Sequence, residues 1–140
     1  MYKIVTKILV QRLRPLLPSL ISPMQAAFLA SRRSTDNVII AQELIYSLKK
    51  RKGSDGYMVV KIDLEKAYVR SKWSFVRMVL NHFSFLANII NLIMSCISST
   101  STVMLFNGNN LDSFQPTIGI RQGDPISPYI FLLCIELLGA

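Results

Sequence analysis

Two stretches of this 140-residue chain carry residue types and spacings suited to chemistry. The first is Lys61-Ile62-Asp63-Leu64-Glu65-Lys66-Ala67-Tyr68. From Tyr57 to Leu64 the pattern alternates, with Met58, Val60, Ile62 and Leu64 on one face and Val59, Lys61 and Asp63 on the other, which predicts a strand ending on a carboxylate. Such a strand buries one face and aims an acid from its tip, a geometry suited to holding a metal ion. The second is Gly119-Ile120-Arg121-Gln122-Gly123-Asp124-Pro125-Ile126-Ser127-Pro128-Tyr129, a glycine-bracketed loop entering a helix. Its glycines permit close backbone approach. Asp124 and Ser127, each followed by proline, suit helix N-caps. Taken singly, Asp63 also reads as an ordinary strand-end acid and Gly-Asp-Pro as a plain turn.

The elements that must position these stretches follow from periodicity. Tyr2 to Leu17 predicts an amphipathic helix with Val5, Leu9, Leu13 and Leu16 on its apolar face and Ile4 and Ile8 beside them. Lys3, Lys7, Gln11 and Arg14 form a polar stripe that reads equally as a solvated face or a phosphate-facing one. Prolines 15 and 18 end or kink this helix, and Ser19 to Ser34 reads as loop. Thr35-Asp36 caps a second helix, Asn37 to about Lys50, with Val38, Ala41, Ile45 and Leu48 as its buried stripe. Lys49, Lys50, Arg51 and Lys52 suit its C-terminal dipole, Gly53 its C′ position, and Gly53 to Gly56 the following turn. A third helix places Trp73, Val76, Leu80 and Phe83 on one face. A fourth, about Leu86 to Ser98, buries Leu86, Ile90, Ile93 and Ile97. Asn107-Gly108 joins the strands Ser101–Phe106 and Leu111–Thr117 into a hairpin, with Leu111 and Phe114 facing the core. A last helix, Pro128 to Leu138, is apolar almost all round and is expected to be buried.

The bulk numbers narrow the class. Hydrophobic residues make up 51% and mean hydropathy is +0.37, which points to a membrane protein or to a core that expects a neighbour. No apolar run approaches the roughly 18–20 residues of a membrane span, and Met1 to Val10 lacks the features of a signal peptide. Sixteen basic against eight acidic residues give a net charge of +8, which favours a polyanionic partner without distinguishing nucleic acid from anionic lipid. Cys96 and Cys134 are too few and too isolated for a disulfide framework or zinc site and read as buried thiols. His82, the single histidine, reads as a surface or packing residue.

The two motifs in this order resemble the central motifs of reverse transcriptases, and most closely those of non-LTR (LINE-type) retrotransposons of plants. The second motif's match runs on to Glu136, and supporting matches are Tyr2-Lys3-Ile4 with Arg12-Leu13, Gln25 to Phe28, and Thr35-Asp36-Asn37. The resemblance implies an α+β fold: partial fingers (1–56) and palm (57–140) of a right-hand polymerase, with helices packed on a small antiparallel sheet. It implies two-metal nucleotidyl transfer with Mg²⁺ or Mn²⁺, an RNA template, a DNA primer and deoxynucleoside triphosphates, in the nucleus and cytoplasm of a host cell and without a membrane.

By the same resemblance Asp63 is the catalytic metal ligand, and the Leu64 carbonyl faces a metal. The Tyr68 ring lies under the incoming sugar, Arg121 meets phosphate, and Gln122 and Gly123 touch the incoming nucleotide and template base. Lys3, Lys7, Arg14, Arg32 and Arg33 are candidate nucleic-acid contacts.

The sequence departs from the family pattern at several positions. Ala30-Ser31 replaces a usual Pro-Gly, Val69 stands where the LINE-type enzymes usually have a second Asp, Ser84 replaces a usual Gly, and Ile89 a usual Trp. The family's Asp-Asp metal motif is expected beyond Ala140, so the chain reads as an internal piece that holds metal weakly and is inactive by itself. A non-catalytic nucleic-acid-binding remnant is the alternative.

Overall fold

The computed structural model describes residues 2–29, 32–52 and 56–139. The Ala30-Ser31 departure, the Gly53 helix end and most of the expected turn Gly53 to Gly56 lie outside these residues. The chain runs α1 (Tyr2–Leu13), α2 (Leu17–Leu20), α3 (Ser34–Lys50), α4 (Ala67–Arg70), α5 (Trp73–His82), α6 (Ala87–Ser98), β1 (Leu105–Phe106), β2 (Asn109–Asn110) and α7 (Ser127–Gly139). This is the α+β class: helices with one small antiparallel sheet.

The core lies where α5, α6, α7 and the inner face of α1 meet. Helix α7 is its centre, with Ile130, Leu132 and Leu133 each at most 1% exposed. Around them pack Val76, Val79 and Leu80 from α5 and Ile90, Ile93, Met94 and Ile97 from α6. Trp73 and Phe83 close the edges as expected, whereas Leu86, expected inside, is 71% exposed at the α6 N-cap. Cys96 and Cys134 are buried and free. Burial pushes both thiols up, Cys134 to about 11, with the Asp124 carboxylate adding to the shift at Cys96.

Helix α1 buries Thr6, Val10 and Leu13, followed by Leu17 of α2. The expected face is therefore turned by one residue: Ile4, Ile8 and Leu16 are exposed, and Val5 and Leu9 are half-buried.

Two expected elements differ more. Helix α3 ends at Lys50 as predicted but starts at Ser34, with Arg33 at its N-cap and no side-chain cap bond, so Thr35 and Asp36 lie inside its first turn rather than capping it, and it buries none of its residues. Among the described residues its stripe is uncovered except where Ile45 and Leu48 border Tyr57 and Val59. Residues 57–64 form no strand, and all are exposed. Alternation marks which residues can share a face, but a strand exists only when its backbone groups find a ladder partner. None of the described residues pairs with 57–64.

The hairpin forms at Asn107-Gly108, whose φ values of 49° and 80° make the left-handed two-residue turn. Its regular ladder is short, Leu105↔Asn110 and Phe106↔Asn109. The Thr102↔Phe114 bridge beyond it is out of that register by one residue, as a β-bulge on the return strand produces. The hairpin is exposed along its length, residues 101–115. Leu111 and Phe114, expected toward the core, are both 46% exposed.

The turn after α5 explains one departure from the family pattern. Phe85 N–H donates to Leu80 O and Ser84 N–H to Asn81 O, the paired bonds of a Schellman ending. Ser84 occupies its left-handed position with φ 57°, where a side chain is strained and glycine is not. Ser84→Gly is expected to stabilise the fold by about 0.5–1 kcal/mol, read as a higher urea midpoint at unchanged slope; a lower midpoint contradicts it. The uncovered faces of α3, residues 57–64 and the hairpin predict strong binding of a hydrophobic dye by the folded chain. Dye fluorescence no higher than with an ordinary compact monomer would refute that.

Candidate nucleotide site

The two chemistry-bearing stretches meet through their backbones. Ile120 N–H donates to Tyr68 O and Gly119 N–H to Ser71 O, both at 2.8 Å. The Trp73 indole N–H donates to Gly119 O at 2.8 Å. Gly119 has φ 91°, and a Cβ there would lie 2.8 Å from the Val69 carbonyl oxygen. Glycine is required at this position on both counts, conformation and approach. Gly123 has φ 85° with open space beside it.

Tyr68 sits on the short helix α4, entered through Lys66 in the left-handed conformation. Its ring stacks on Phe131 of α7 at 4.5 Å and 27°, which holds it in one orientation. Burial raises its phenol pKa. Asp63 and Leu64 border a groove of about 630 Å³ whose other walls include Glu65, Arg70, Lys72, Phe75, Phe131 and Cys134. Arg121, Gln122 and Gly123 are exposed and do not line that groove. The resemblance places this loop and Tyr68 around one nucleotide beside Asp63, but neither the loop nor Tyr68 lines the groove, and the loop reaches it only through Ser71, which lines the groove and accepts from Gly119 N–H.

The donor set around Asp63 is sparse. Glu65 is engaged weakly, with Arg70 at 3.8 Å and Lys66 at 4.0 Å, all exposed. Among the described residues no three His, Cys, Asp or Glu side chains come together. One carboxylate and one backbone carbonyl fall short of the oxygen shell that Mg²⁺ demands. The residues present do not make a complete metal centre.

The basic candidates divide. Lys3, Lys7 and Arg33 are exposed. Arg14 donates to the Tyr129 hydroxyl at 2.9 Å. Arg32 donates to the carbonyls of Ile21, Ser22 and Gln25 and so knits its own loop, which leaves less of its guanidinium for an external anion.

Sequence reasoning missed four anchoring groups. Tyr2 donates to the buried Asp124 carboxylate, and burial followed by this bond raises its phenol far above the usual tyrosine range. Glu136 accepts from Ser22 N–H at 2.9 Å and ties α7 to the loop after α2. Asp124 was expected to cap the helix; instead it closes a turn onto Ile126 N–H at 3.1 Å, ahead of α7. Trp73 was read only as a packing residue. All but the Asp124 turn are long-range bonds, for which local spacing carries no signal.

Gly119→Ala is expected to cost about 2–3 kcal/mol, combining strain with the clash on Val69, whereas Gly123→Ala costs about 1 kcal/mol of strain alone. Urea titrations of the two variants side by side measure the difference. Equal losses would mean that the approach at Gly119 is not tight.

The chain matches the model of the reverse transcriptase (RNA-dependent DNA polymerase) family over residues 1–139. It is 27% identical over 135 residues to the transposon TX1 uncharacterized 149 kDa protein of Xenopus laevis, covering 96% of this chain and 10% of that protein. To the retrovirus-related Pol polyprotein from type-1 retrotransposable element R2 of Popillia japonica it is 28% identical over 102 residues, 73% of this chain and 16% of the polyprotein. A 36-residue stretch is 47% identical to the uncharacterized mitochondrial protein AtMg01250 of Arabidopsis thaliana, covering 26% of this chain and 30% of that protein. The chain thus spans about a tenth of the TX1 protein and a sixth of the R2 polyprotein. Members of the family work on a nucleic-acid template and primer with nucleotide substrates and divalent metal ions, and no described helix here is long and apolar enough to cross a membrane. With the family model covering both motifs and nearly the whole chain, this protein belongs to the reverse transcriptase family.

Proposed function

We propose that this chain supplies part of the nucleotide-binding wall of a LINE-type RNA-directed DNA polymerase. The observation that carries the reading is the backbone clamp between Tyr68–Ser71 and Gly119–Ile120, which joins the two motifs across about fifty intervening residues of sequence. In this reading residues 1–56 belong to the fingers and 57–140 to the palm. Asp63 is one carboxylate of the metal site, with the Leu64 carbonyl beside it. Mg²⁺ or Mn²⁺ supplies the phosphoryl-transfer chemistry of the complete domain. The share of this chain is orientation. The Tyr68 ring, braced by Phe131, crowds the sugar edge. Exposed Arg121 offers charge to phosphate, and the open side of Gly123 admits a base or sugar. Lys3, Lys7 and Arg33 add positive charge for the template and primer backbones.

The sparse donor set favours a second reading for the 140-residue chain on its own: nucleic-acid binding without catalysis. The purified chain is expected to give no templated primer extension with Mg²⁺ or Mn²⁺, and Val69→Asp is not expected to restore it. Binding to RNA or DNA should be weak, indifferent to sequence, and fall steeply with rising salt as phosphate contacts release counterions. Primer-extension gels and salt-series anisotropy test both points. Extension that Asp63→Ala abolishes would show that the metal ligands have been misassigned, and salt-independent binding would remove the nucleic-acid reading.

A further inference from the structure

The loop that follows Gly119 is held from a second side. Asp124 is only 4% exposed, a depth at which a carboxylate needs partners for its oxygens. Oδ1 accepts from Ile126 N–H at 3.1 Å, which completes the local turn. Oδ2 accepts from the Tyr2 hydroxyl, 122 residues away in the first turn of α1. A turn of this kind needs one side-chain oxygen, so the second oxygen does separate work. Tyr2 and Asp124 are joined by a charge-assisted bond in partly water-excluded surroundings, where such bonds are strongest. Asp124 directly follows the exposed triplet Arg121–Gly123, and its own N–H closes back on Arg121 O. The triplet is therefore pinned at its start by Tyr68, Ser71 and Trp73, and at its end by Tyr2.

The geometry points to a Tyr2–Asp124 latch that fixes the Arg121–Gly123 loop in its nucleotide-facing conformation, with both as positioning residues acting through the loop. This rests on the proposed role of that loop at the nucleotide. The latch also makes the outer helix α1 part of the site: whatever displaces the first turn of α1 loosens the loop.

The molecule contains its own reporter. Trp73, the single tryptophan, donates its indole N–H to Gly119 O, so its emission follows the loop. Tyr2→Phe removes one oxygen and keeps the ring. In the full 140-residue chain, with far-ultraviolet circular dichroism unchanged, this variant is expected to red-shift Trp73 emission. Tryptic cleavage after Arg121 should speed up about tenfold, the scale of one lost bond to a buried charge. The deoxynucleoside triphosphate concentration that half-saturates the Trp73 response should rise by a similar factor. Asp124→Asn keeps one neutral acceptor and is expected to fall between wild type and Asp124→Ala. Unchanged emission and cleavage in Tyr2→Phe would overturn the latch. If that variant loses its helical signal, Asp124→Asn is read by the same criterion. A wild-type chain indifferent to the triphosphate, with Tyr2→Phe still loosening the loop, would sink the nucleotide reading and keep the latch. A wild-type response that Tyr2→Phe leaves unaltered would sink the latch and keep the nucleotide reading.

Discussion

A side chain at residue 119 would clash with Val69 and strain the backbone, and the site is built on that fact. The Val69 carbonyl oxygen lies 2.8 Å from where a Cβ would be, so the Tyr68–Ser71 backbone and the backbone before Arg121 approach as glycine alone permits without strain. Three hydrogen bonds then lock the approach: Ile120 to Tyr68, Gly119 to Ser71, and Trp73 to Gly119. The clamp fixes two things together. It sets where the Tyr68 ring begins its stack on Phe131, and it sets the direction in which Arg121–Gly123 leaves the core. A polymerase motif read as a string of letters thus becomes a joint between two segments, with its glycine as the pivot.

Helix α7 gives the joint something rigid to stand on. Its inner apolar face packs in one cluster with α5, α6 and the inner face of α1, while Phe131, Ile135 and Leu138 border the groove beside Asp63, and its few polar side chains are spent on outer elements. Tyr129 receives Arg14 and Glu136 receives Ser22 N–H. Polar groups half inside a protein cost free energy unless paired, and here the pairing also chooses which loops lie where. Arg32, bonded to three carbonyls of the loop after α2, works in the same way. A basic residue in a nucleic-acid-binding family is thereby drawn into structure, while Lys3, Lys7 and Arg33 remain on the surface.

What was legible in the sequence follows from which forces are local. Helices α5, α6 and α7 and the Asn-Gly turn were readable because their signals are local: apolar periodicity and two residues with positive φ. The strand ending at Asp63 was not, because alternation describes a strand's faces and says nothing of whether a partner ladder exists. Helix α3 failed in the same way, since its apolar stripe predicted a face correctly and a cover wrongly. At the candidate site, the family resemblance set Tyr68 and Gln122–Gly123 around one nucleotide, but the backbone clamp that ties Tyr68–Ser71 to Gly119–Ile120 was not foreseen. The part of Tyr2 was invisible, since no spacing rule links a tyrosine at residue 2 to an acid at residue 124.

The rotation of α1 shows how one such bond can decide between alternatives that periodicity leaves equal. Helix α1 has two apolar stripes at helical spacing. Val5, Leu9, Leu13 and Leu16 make the stronger one by composition, whereas Thr6, Val10, Leu13 and Leu17 include a hydroxyl. By area alone the first should be buried. It is the second that lies inside, with Thr6 fully buried and its hydroxyl donating to Lys3 O at 3.2 Å. Tyr2 is four residues before Thr6 and therefore on that same face, so the helix can deliver the Tyr2 hydroxyl to Asp124 only by turning the Thr6 stripe inward. Arg14, bonded to Tyr129 just past the other end of α1, helps hold that rotation. The cost is an apolar stripe left half open along a groove shared with Leu86, Ile89 and Leu92 of the α6 region. In α1 a polar anchor to the motif loop outweighs the better hydrophobic face, which is the order of priorities expected where loop geometry matters more than the last increment of burial.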